Sequence, residues 1–435
     1  MVAVGFILFL LAALVGGAHL FRATTFSAFD ESTHLDYTWK VMHGSIPFDG
    51  DKLAPYTLQQ WSCHRQANQP KKAIPPCGSS APASAYPAAG LNYNGIHPPV
   101  YYALTGVGAE VISAVTPASF FTSARIMSII WTYLGLFTSY LVLRYWRVGW
   151  PYALAGSALL ITLPSVLSSV ASVTNDAPAL LAGAGAMYVL GRVLIYGRTG
   201  WLVPALITGA VVSMKVISGL ALIAVAIVLL IVALRRGRAN GFRKVRPVVI
   251  VSGAVFLVTG SVYKIWAVVQ AGRALPDYLS PIRNANTQPI SGRLPFDDWL
   301  PTLVGGFRLG RDYYLAPPVD SAQILAWAIL AGVILSAVAF VAVSKFAHGR
   351  AEWFLGVAVI VGSMIYPLIV QVSVYASSSG TRFFTAPGSR YANSLIPLAV
   401  GLAAVLASHF RLRRTAIATV ALGLLIVVTS SFGIG

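Results

Sequence analysis

Apolar residues in this chain do not alternate with polar ones; they run. A helix crossing a bilayer core needs about 20 apolar residues. Runs of that kind recur at 2–21, 121–143, 151–171, 177–197, 201–234, 247–269, 321–343, 353–374, 391–409 and 415–432. The 201–234 run is too long for one ordinary crossing and is interrupted by Ser213-Met214-Lys215 and Ser218-Gly219. It reads as two short helices meeting near Lys215, which gives eleven crossings. The pattern predicts an all-α polytopic membrane protein forming a single domain, 1–435. The first run has no small-residue cleavage site closing it and reads as a transmembrane helix rather than a leader.

Two polar intervals are long, roughly 22–120 and 270–320, and both are Pro-rich and broken by glycine. Intervals of that length are usually functional or disordered. Within the first, 98–115 is apolar and helical in pattern. Counting it as a crossing would invert every later interval, so it reads as a juxtamembrane or re-entrant helix on the outer face.

Composition agrees with the runs. The chain is 57% hydrophobic and 10% charged, with a mean hydropathy of +0.73, which excludes a soluble globular protein. The net charge of +18 invites a nucleic-acid reading, but its distribution rejects one. Arg144, Arg147, Arg192, Arg198, the run from Arg235 to Arg246, Lys345, Arg350, Arg411, Arg413 and Arg414 all fall on one side of the eleven-helix topology, with Glu352 as their only acid. Basic excess marks the cytoplasmic side. Every other acid lies outside or at the outer interface. Cys63 and Cys77 share the first outer interval, where an oxidising compartment favours a disulfide over two free thiols.

Candidate chemistry lies on the outer side. Of only 13 acids, three fall in Asp30-Glu31-Ser32-Thr33-His34-Leu35-Asp36. Ionisable groups at a membrane surface are functional-site candidates by default, and Asp30 and His34 share a helix face at i, i+4. His97, before Pro98-Pro99, reads as a site residue or as a helix cap beside Tyr101. Asp176 reads as a site acid or as an N-cap with Pro178 in the first turn. Lys215, alone in apolar sequence, either snorkels or serves a phosphate or counter-ion. Arg390, beside Tyr391, is an outer-side cation against the charge bias, and a phosphate or lipid headgroup would explain it. A carboxylate that deprotonates an acceptor hydroxyl and cations that stabilise a leaving phosphate are what transfer from a lipid-linked phosphate requires.

Taken in order, Asp30-Glu31 with His34, Gly44-Ser45-Ile46-Pro47, His97-Pro98-Pro99-Val100-Tyr101-Tyr102, Asn175-Asp176, Met214-Lys215 and Arg390-Tyr391 resemble the GT-C-fold membrane glycosyltransferases. That superfamily includes protein mannosyltransferases, aminoarabinose transferases and actinobacterial arabinofuranosyltransferases. The resemblance implies a GT-C-like bundle with outer-face juxtamembrane helices and a polyprenyl-phosphate-linked sugar donor. It makes Asp30 the catalytic base, with Glu31 a neighbour able to share the role, and Asp176 a second site acid. Lys215 and Arg390 would hold the donor phosphate, and His34, His97, Tyr101, Asp176 and Tyr391 would contact substrate. A divalent metal bridging Asp30, His34 or Asp176 suits the residue types, but the spacing does not demand it. Many arabinofuranosyltransferases end in a soluble carbohydrate-binding domain, and this sequence stops at Gly435, so acceptor recognition falls to the two long intervals.

The expected function is an inverting glycosyltransferase moving a sugar to a cell-envelope glycan, lipid or protein on the outer face of a bacterial plasma membrane. Its partners are donor, acceptor and membrane lipids, with no nucleic acid. The rival is a transporter or flippase of a lipid-linked or small polar substrate, with the same charges as gating or proton-coupling groups. A transporter needs polar groups reachable from both sides, whereas the acids here are almost all external. The topology predicts that a cysteine introduced near Asn240 is labelled by an impermeant maleimide only after permeabilisation. Labelling in intact cells would reverse the orientation.

Overall fold

The computed structural model describes residues 1–27, 30–48, 50–66, 73–273, 287–289, 321–344, 350–377, 382–384 and 389–432. Most of the expected 270–320 interval lies outside them. Helices dominate: α1 (Val2–Arg22), α2 (Glu31–Met42), α3 (Pro55–His64), α4 (Val100–Val115), α5 (Phe120–Tyr145), α6 (Trp150–Leu160), α7 (Pro164–Val170), α8 (Ala179–Leu194), α9 (Leu202–Met214), α10 (Leu220–Asn240), α11 (Phe242–Ala271), α12 (Ser321–Val343), α13 (Ala351–Ser377), α14 (Ile396–His409) and α15 (Arg413–Phe432).

Among the described residues, six helices are long and apolar enough to cross a membrane, or seven if the bent pair α6–α7 is one span. The eleven crossings read from the sequence also counted shorter elements. At 1.5 Å per residue, α8 and α9 extend only about 24 and 20 Å. The 151–171 run is not one straight span either. Leu163 is extended before Pro164, as the residue preceding a proline prefers, and the two halves meet at 68°. The break expected near Lys215 is present: α9 ends at Met214, Lys215 is extended (φ −159, ψ 117), and one 3-10 turn, Val216–Gly219, leads into α10.

The 22–120 interval forms a folded cap rather than a plain loop. It contains α2, α3, α4 and a two-stranded ladder, β1 (Asp51–Lys52) against β2 (Leu91–Asn92). Asp36 ties α2 to both strands' surroundings. Its carboxylate accepts from the Ala54 amide at 2.6 Å and the Asn92 side chain at 2.8 Å, and pairs with Lys40 at 3.0 Å. Cys63 and Cys77 form the expected disulfide. A second ladder, β3 (Thr287–Pro289) with β4 (Arg382–Phe384), joins the second interval to the segment before α14.

Three apolar clusters stack from bundle to cap. The largest runs through α1, α5, α6, α8, α10, α13 and α14. A cap core gathers Phe26, Leu35, Leu53, Trp61, Tyr86 and Phe121. Between them lies an aromatic layer of Tyr37, Tyr101, Tyr102 and Trp131. Tyr37 and Tyr102 stack with ring centroids 3.7 Å apart. Apolar burial drives all three, at roughly 25 cal/mol per Å².

The turn Ser389–Leu395, which carries Arg390, is seated on α8 through Gly183. A Cβ at Gly183 would meet the Ser394 carbonyl oxygen and, at 2.7 Å, the Pro397 ring. Backbone cannot rotate aside as a side chain can, so overpacking here moves the turn. Gly183→Ala is expected to cost about 1–3 kcal/mol and to lower the unfolding midpoint in detergent. Gly17→Ala, where nothing lies within 4 Å, is the matched control and should leave the midpoint unchanged or slightly raised. Equal midpoints for the two variants would show that the contact at Gly183 does not govern the turn.

Candidate functional site

Four charged side chains from four distant segments meet at the junction of cap and bundle. Asp30 caps α2 with left-handed backbone (φ 57, ψ 13), a conformation that Asp tolerates better than most residues. One carboxylate oxygen, Oδ2, accepts from Arg390 Nη2 at 2.6 Å, and Oδ1 accepts from the Tyr93 hydroxyl at 2.9 Å. Arg390 Nη1 lies 3.9 Å from Asp176 Oδ2, and Lys215 Nζ donates to Asp176 Oδ1 at 2.5 Å. The result is a continuous chain, Asp30–Arg390–Asp176–Lys215. Side-chain exposure falls along it, from 21% and 18% at Asp30 and Arg390 to 6% and 2% at Asp176 and Lys215. The first pair is therefore the mouth and the second the floor. Tyr391 presents its ring to both cations, 5.2 Å from Lys215 Nζ and 5.3 Å from Arg390 Cζ.

Charge balance holds the floor together. Burial pushes the Asp176 carboxyl up, but Lys215 and Arg390 outweigh it and hold the group below its ordinary value. Opposite charges within a few ångströms favour the ionised form. Asp176 is thus an ion-pair partner; the N-cap alternative does not hold, because Pro178 precedes α8 and no side-chain cap bond forms there.

Neutral aromatic groups line one wall. His34 Nδ1 and the Tyr102 hydroxyl are 2.9 Å apart, and Asn175 donates to that hydroxyl at 3.2 Å. The rings of His34 and His97 stack at 6.2 Å. Burial, reinforced by Lys215, keeps both imidazoles well below their ordinary value, so both are neutral at pH 7. Tyr101 is wholly buried, against Tyr102 and Trp131, and its neighbour Tyr102 is the tyrosine that touches His34. Beside the floor, a cavity of about 330 Å³ opens between α5, α8 and α9. Pro178, Leu181, Ile207, Val211 and Met214 give it an apolar wall. Pro178 and Met214 are close in sequence to Asp176 and Lys215, so apolar space adjoins buried charge.

Glu31 points elsewhere. Its Oε1 accepts from Arg125 Nε at 2.8 Å and the Val173 amide at 2.9 Å, and its Oε2 from Arg125 Nη2 at 2.8 Å and the Ser27 amide at 2.6 Å. Arg125 also donates to the carbonyls of Ala23 at 2.5 Å and Thr25 at 2.7 Å. Both groups are buried, and the bidentate geometry is the strong form of this pair. Both oxygens of Glu31 are occupied, leaving no place for a substrate hydroxyl. Sequence reading missed Arg125 and Tyr93. Arg125 had a signal, an arginine inside an apolar run, whereas Tyr93 had none.

Each candidate metal ligand already has a protein partner in this structure. Asp30 and Asp176 already hold Arg390 and Lys215, His34 Nδ1 is engaged by Tyr102, and no group of three or more metal-ligating side chains occurs among the described residues.

The fold is similar to that of ArnT from Cupriavidus metallidurans, solved with bound undecaprenyl phosphate, at a TM-score of 0.51 and 17% identity. The match covers 98% of this chain and 63% of that one, so the chain spans less than two thirds of that protein's length. An oligosaccharyltransferase from Archaeoglobus fulgidus aligns at a TM-score of 0.46 and 12% identity, over 99% of this chain and 54% of that one. The GT-C architecture implied by the sequence resemblance is the fold of this chain. No family model matches the sequence, and no curated protein does.

Arg125→Ala would leave Glu31 buried without its cation. Breaking such a pair costs about 3–5 kcal/mol, read as a fall in the denaturant midpoint in detergent. Replacing the pair together, Arg125→Met with Glu31→Leu, should recover much of that loss, since two apolar groups leave no stranded charge. A double variant as unstable as the single one would mean that packing, not charge pairing, is the larger effect.

Proposed function

We propose that the chain is a glycosyltransferase that takes its sugar from a polyprenyl-phosphate donor at the junction of cap and bundle, on the outer face of the membrane. The observation that carries this reading is the chain of ion pairs from Asp30 to Lys215 beside an apolar cavity. A lipid-linked sugar phosphate is itself a charge joined to an apolar tail. The likeness in fold to a protein solved with undecaprenyl phosphate supports the same donor class.

The two carboxylates already neutralise the two cations, so a donor phosphate enters by exchange. Its oxygens take Arg390 and Lys215 from Asp30 and Asp176, and the polyprenyl tail follows the apolar wall past Met214 and Pro178. Losing Arg390 frees the Asp30 carboxylate, the more exposed of the two, to accept a proton. In the transfer step Asp30 takes the proton of an acceptor hydroxyl, and that oxygen forms a bond to the anomeric carbon. The bond from that carbon to the phosphate oxygen breaks, and the electron pair leaves on the phosphate, stabilised by Lys215 and Arg390. Attack opposite the leaving phosphate inverts the anomeric centre. Tyr93 orients Asp30 through its hydroxyl, and Tyr391 holds the two cations over its ring. Neutral His34 and His97 offer hydrogen-bonding edges to sugar hydroxyls without adding charge. Glu31 acts through position: it precedes no step but fixes Asp30, its neighbour, and Val173, close to Asp176.

Asp30→Asn is nearly isosteric and keeps a residue type tolerant of left-handed backbone. It should fold and bind donor while losing about 10²–10⁴ in transfer rate. Lys215→Met should instead weaken donor binding by about 10- to 100-fold and also lower the unfolding midpoint, because among the described residues Asp176 keeps only the 3.9 Å ion pair to Arg390. Both are read with purified protein and a polyprenyl-phosphate sugar, separating binding from turnover. Full turnover in Asp30→Asn would remove Asp30 as base. If the unaltered chain bound donor but showed no turnover with any acceptor, substrate movement across the membrane would become the better account of the site.

A further inference from the structure

A second and larger cavity lies away from the charged site. It measures about 660 Å³ and is walled by α6, α12, α14 and α15. Small residues create it: Ala155, Gly156, Ala337, Ala403, Ala407 and Ala416 stand where larger side chains would close the gap between helices. Its wall on α12 runs from Val333 to Phe340, about 10 Å along the axis. The lining is almost wholly apolar.

One end of this groove is the connection between α14 and α15, and that end is basic. Phe410 and Leu412 line the groove with Arg411 between them, and Arg413 and Arg414 immediately precede the lining residues Thr415 and Ala416. All three arginines are exposed. Arg411 has left-handed backbone, φ 56, a position that usually favours glycine, yet it carries a long cation. The turn is held in place: the Leu412 amide donates to the Ala407 carbonyl at 2.8 Å, and the Gly149 amide donates to the Ser408 hydroxyl at 3.1 Å. No Asp or Glu follows Glu352 in the sequence, so the C-terminal stretch offers these arginines no acidic side chain.

We propose that this groove binds an anionic phospholipid, with an acyl chain between α12 and α14 and the headgroup phosphate on Arg411, Arg413 and Arg414. An apolar slot alone fits any lipid tail. An apolar slot ending in three arginines selects one with net negative charge, and basic pockets between membrane helices on the cytoplasmic side bind such headgroups. The orientation read from the charge distribution puts this end on the cytoplasmic side, where the leaflet is anionic. The site is separate from Asp30 and Lys215 and does not depend on the transfer reaction.

The test uses the full chain in phosphatidylcholine bilayer discs with and without phosphatidylglycerol, reading the thermal unfolding midpoint. Phosphatidylglycerol is expected to raise the midpoint by about 2–4 °C. Arg411→Gln, Arg413→Gln and Arg414→Gln together should abolish the rise. So should Ala403→Leu with Ala407→Leu, which fills the groove, while leaving the midpoint in phosphatidylcholine unchanged. Should that pair disturb folding, Ala416→Leu fills the groove from the opposite wall. The proposal fails if phosphatidylglycerol has no effect in the unaltered chain or if the arginine variant keeps the rise. It fails equally if the filled groove keeps the rise, since the arginines would then bind headgroups without it. A dimer that dissociates when the groove is filled, whatever the lipid, would assign the groove to a second copy of the chain.

Discussion

A lysine 2% exposed inside an apolar bundle is sustained only by a carboxylate in contact with it, and Lys215 has Asp176. Isolated burial of either charge would cost several kcal/mol. The pairing therefore constrains everything around it. The chain breaks between α9 and α10 at Lys215 itself, whose extended backbone separates the two helices. The loop that holds Asp176 follows α7, which meets α6 at 68°. Arg390 then extends the pairing outward to Asp30, so the electrostatics of the bundle interior and of its rim form one system.

The Glu31–Arg125 pair does for the backbone what the Lys215–Asp176 pair does for charge. Arg125 rises from α5 in the bundle and gathers the carbonyls of Ala23 and Thr25, while Glu31 gathers the amides of Ser27 and Val173. The cap entrance, α2 and the loop before Asp176 are thus fastened to one helix. Two carboxylates adjacent in sequence are separated in task by direction alone. Asp30, in left-handed conformation, turns toward Arg390, while Glu31, in the first turn of α2, turns into the protein. Nothing in the residue types distinguishes them, and only the fold does.

That contrast marks what sequence reading reached. Apolar run length gave the helices, because crossing a bilayer is a local demand on composition. The break at Lys215 was legible for the same reason: a charge inside an apolar run must be accommodated where it stands. Asp30, His34, Asp176, Lys215 and Arg390 were recognisable as costly groups in a membrane protein. Their pairing was not, since Asp30 and Arg390 are 360 residues apart and no local pattern encodes a contact of that range. The bend before Pro164 was missed because hydropathy is continuous across it. Within the cap, the helix over 98–115 and the disulfide were legible, whereas α3 and the β1–β2 ladder were not, because their order comes from contacts such as those of Asp36 rather than from periodicity. Tyr93 joins the site through one hydroxyl, which leaves no trace in sequence.

The long separations within the ion chain bear on how the protein is made. A chain emerges from its N-terminus, so Glu31 is synthesised 94 residues before Arg125 and Asp30 far earlier than Arg390. Asp176 precedes Lys215 by only 39 residues. The floor of the site is therefore available for closure while the second half of the bundle is still absent, and the rim remains open until the segment before α14 arrives. Asp30 is made 360 residues before its partner Arg390. It gains its cation only with the Ser389–Leu395 turn, ahead of α14 and α15.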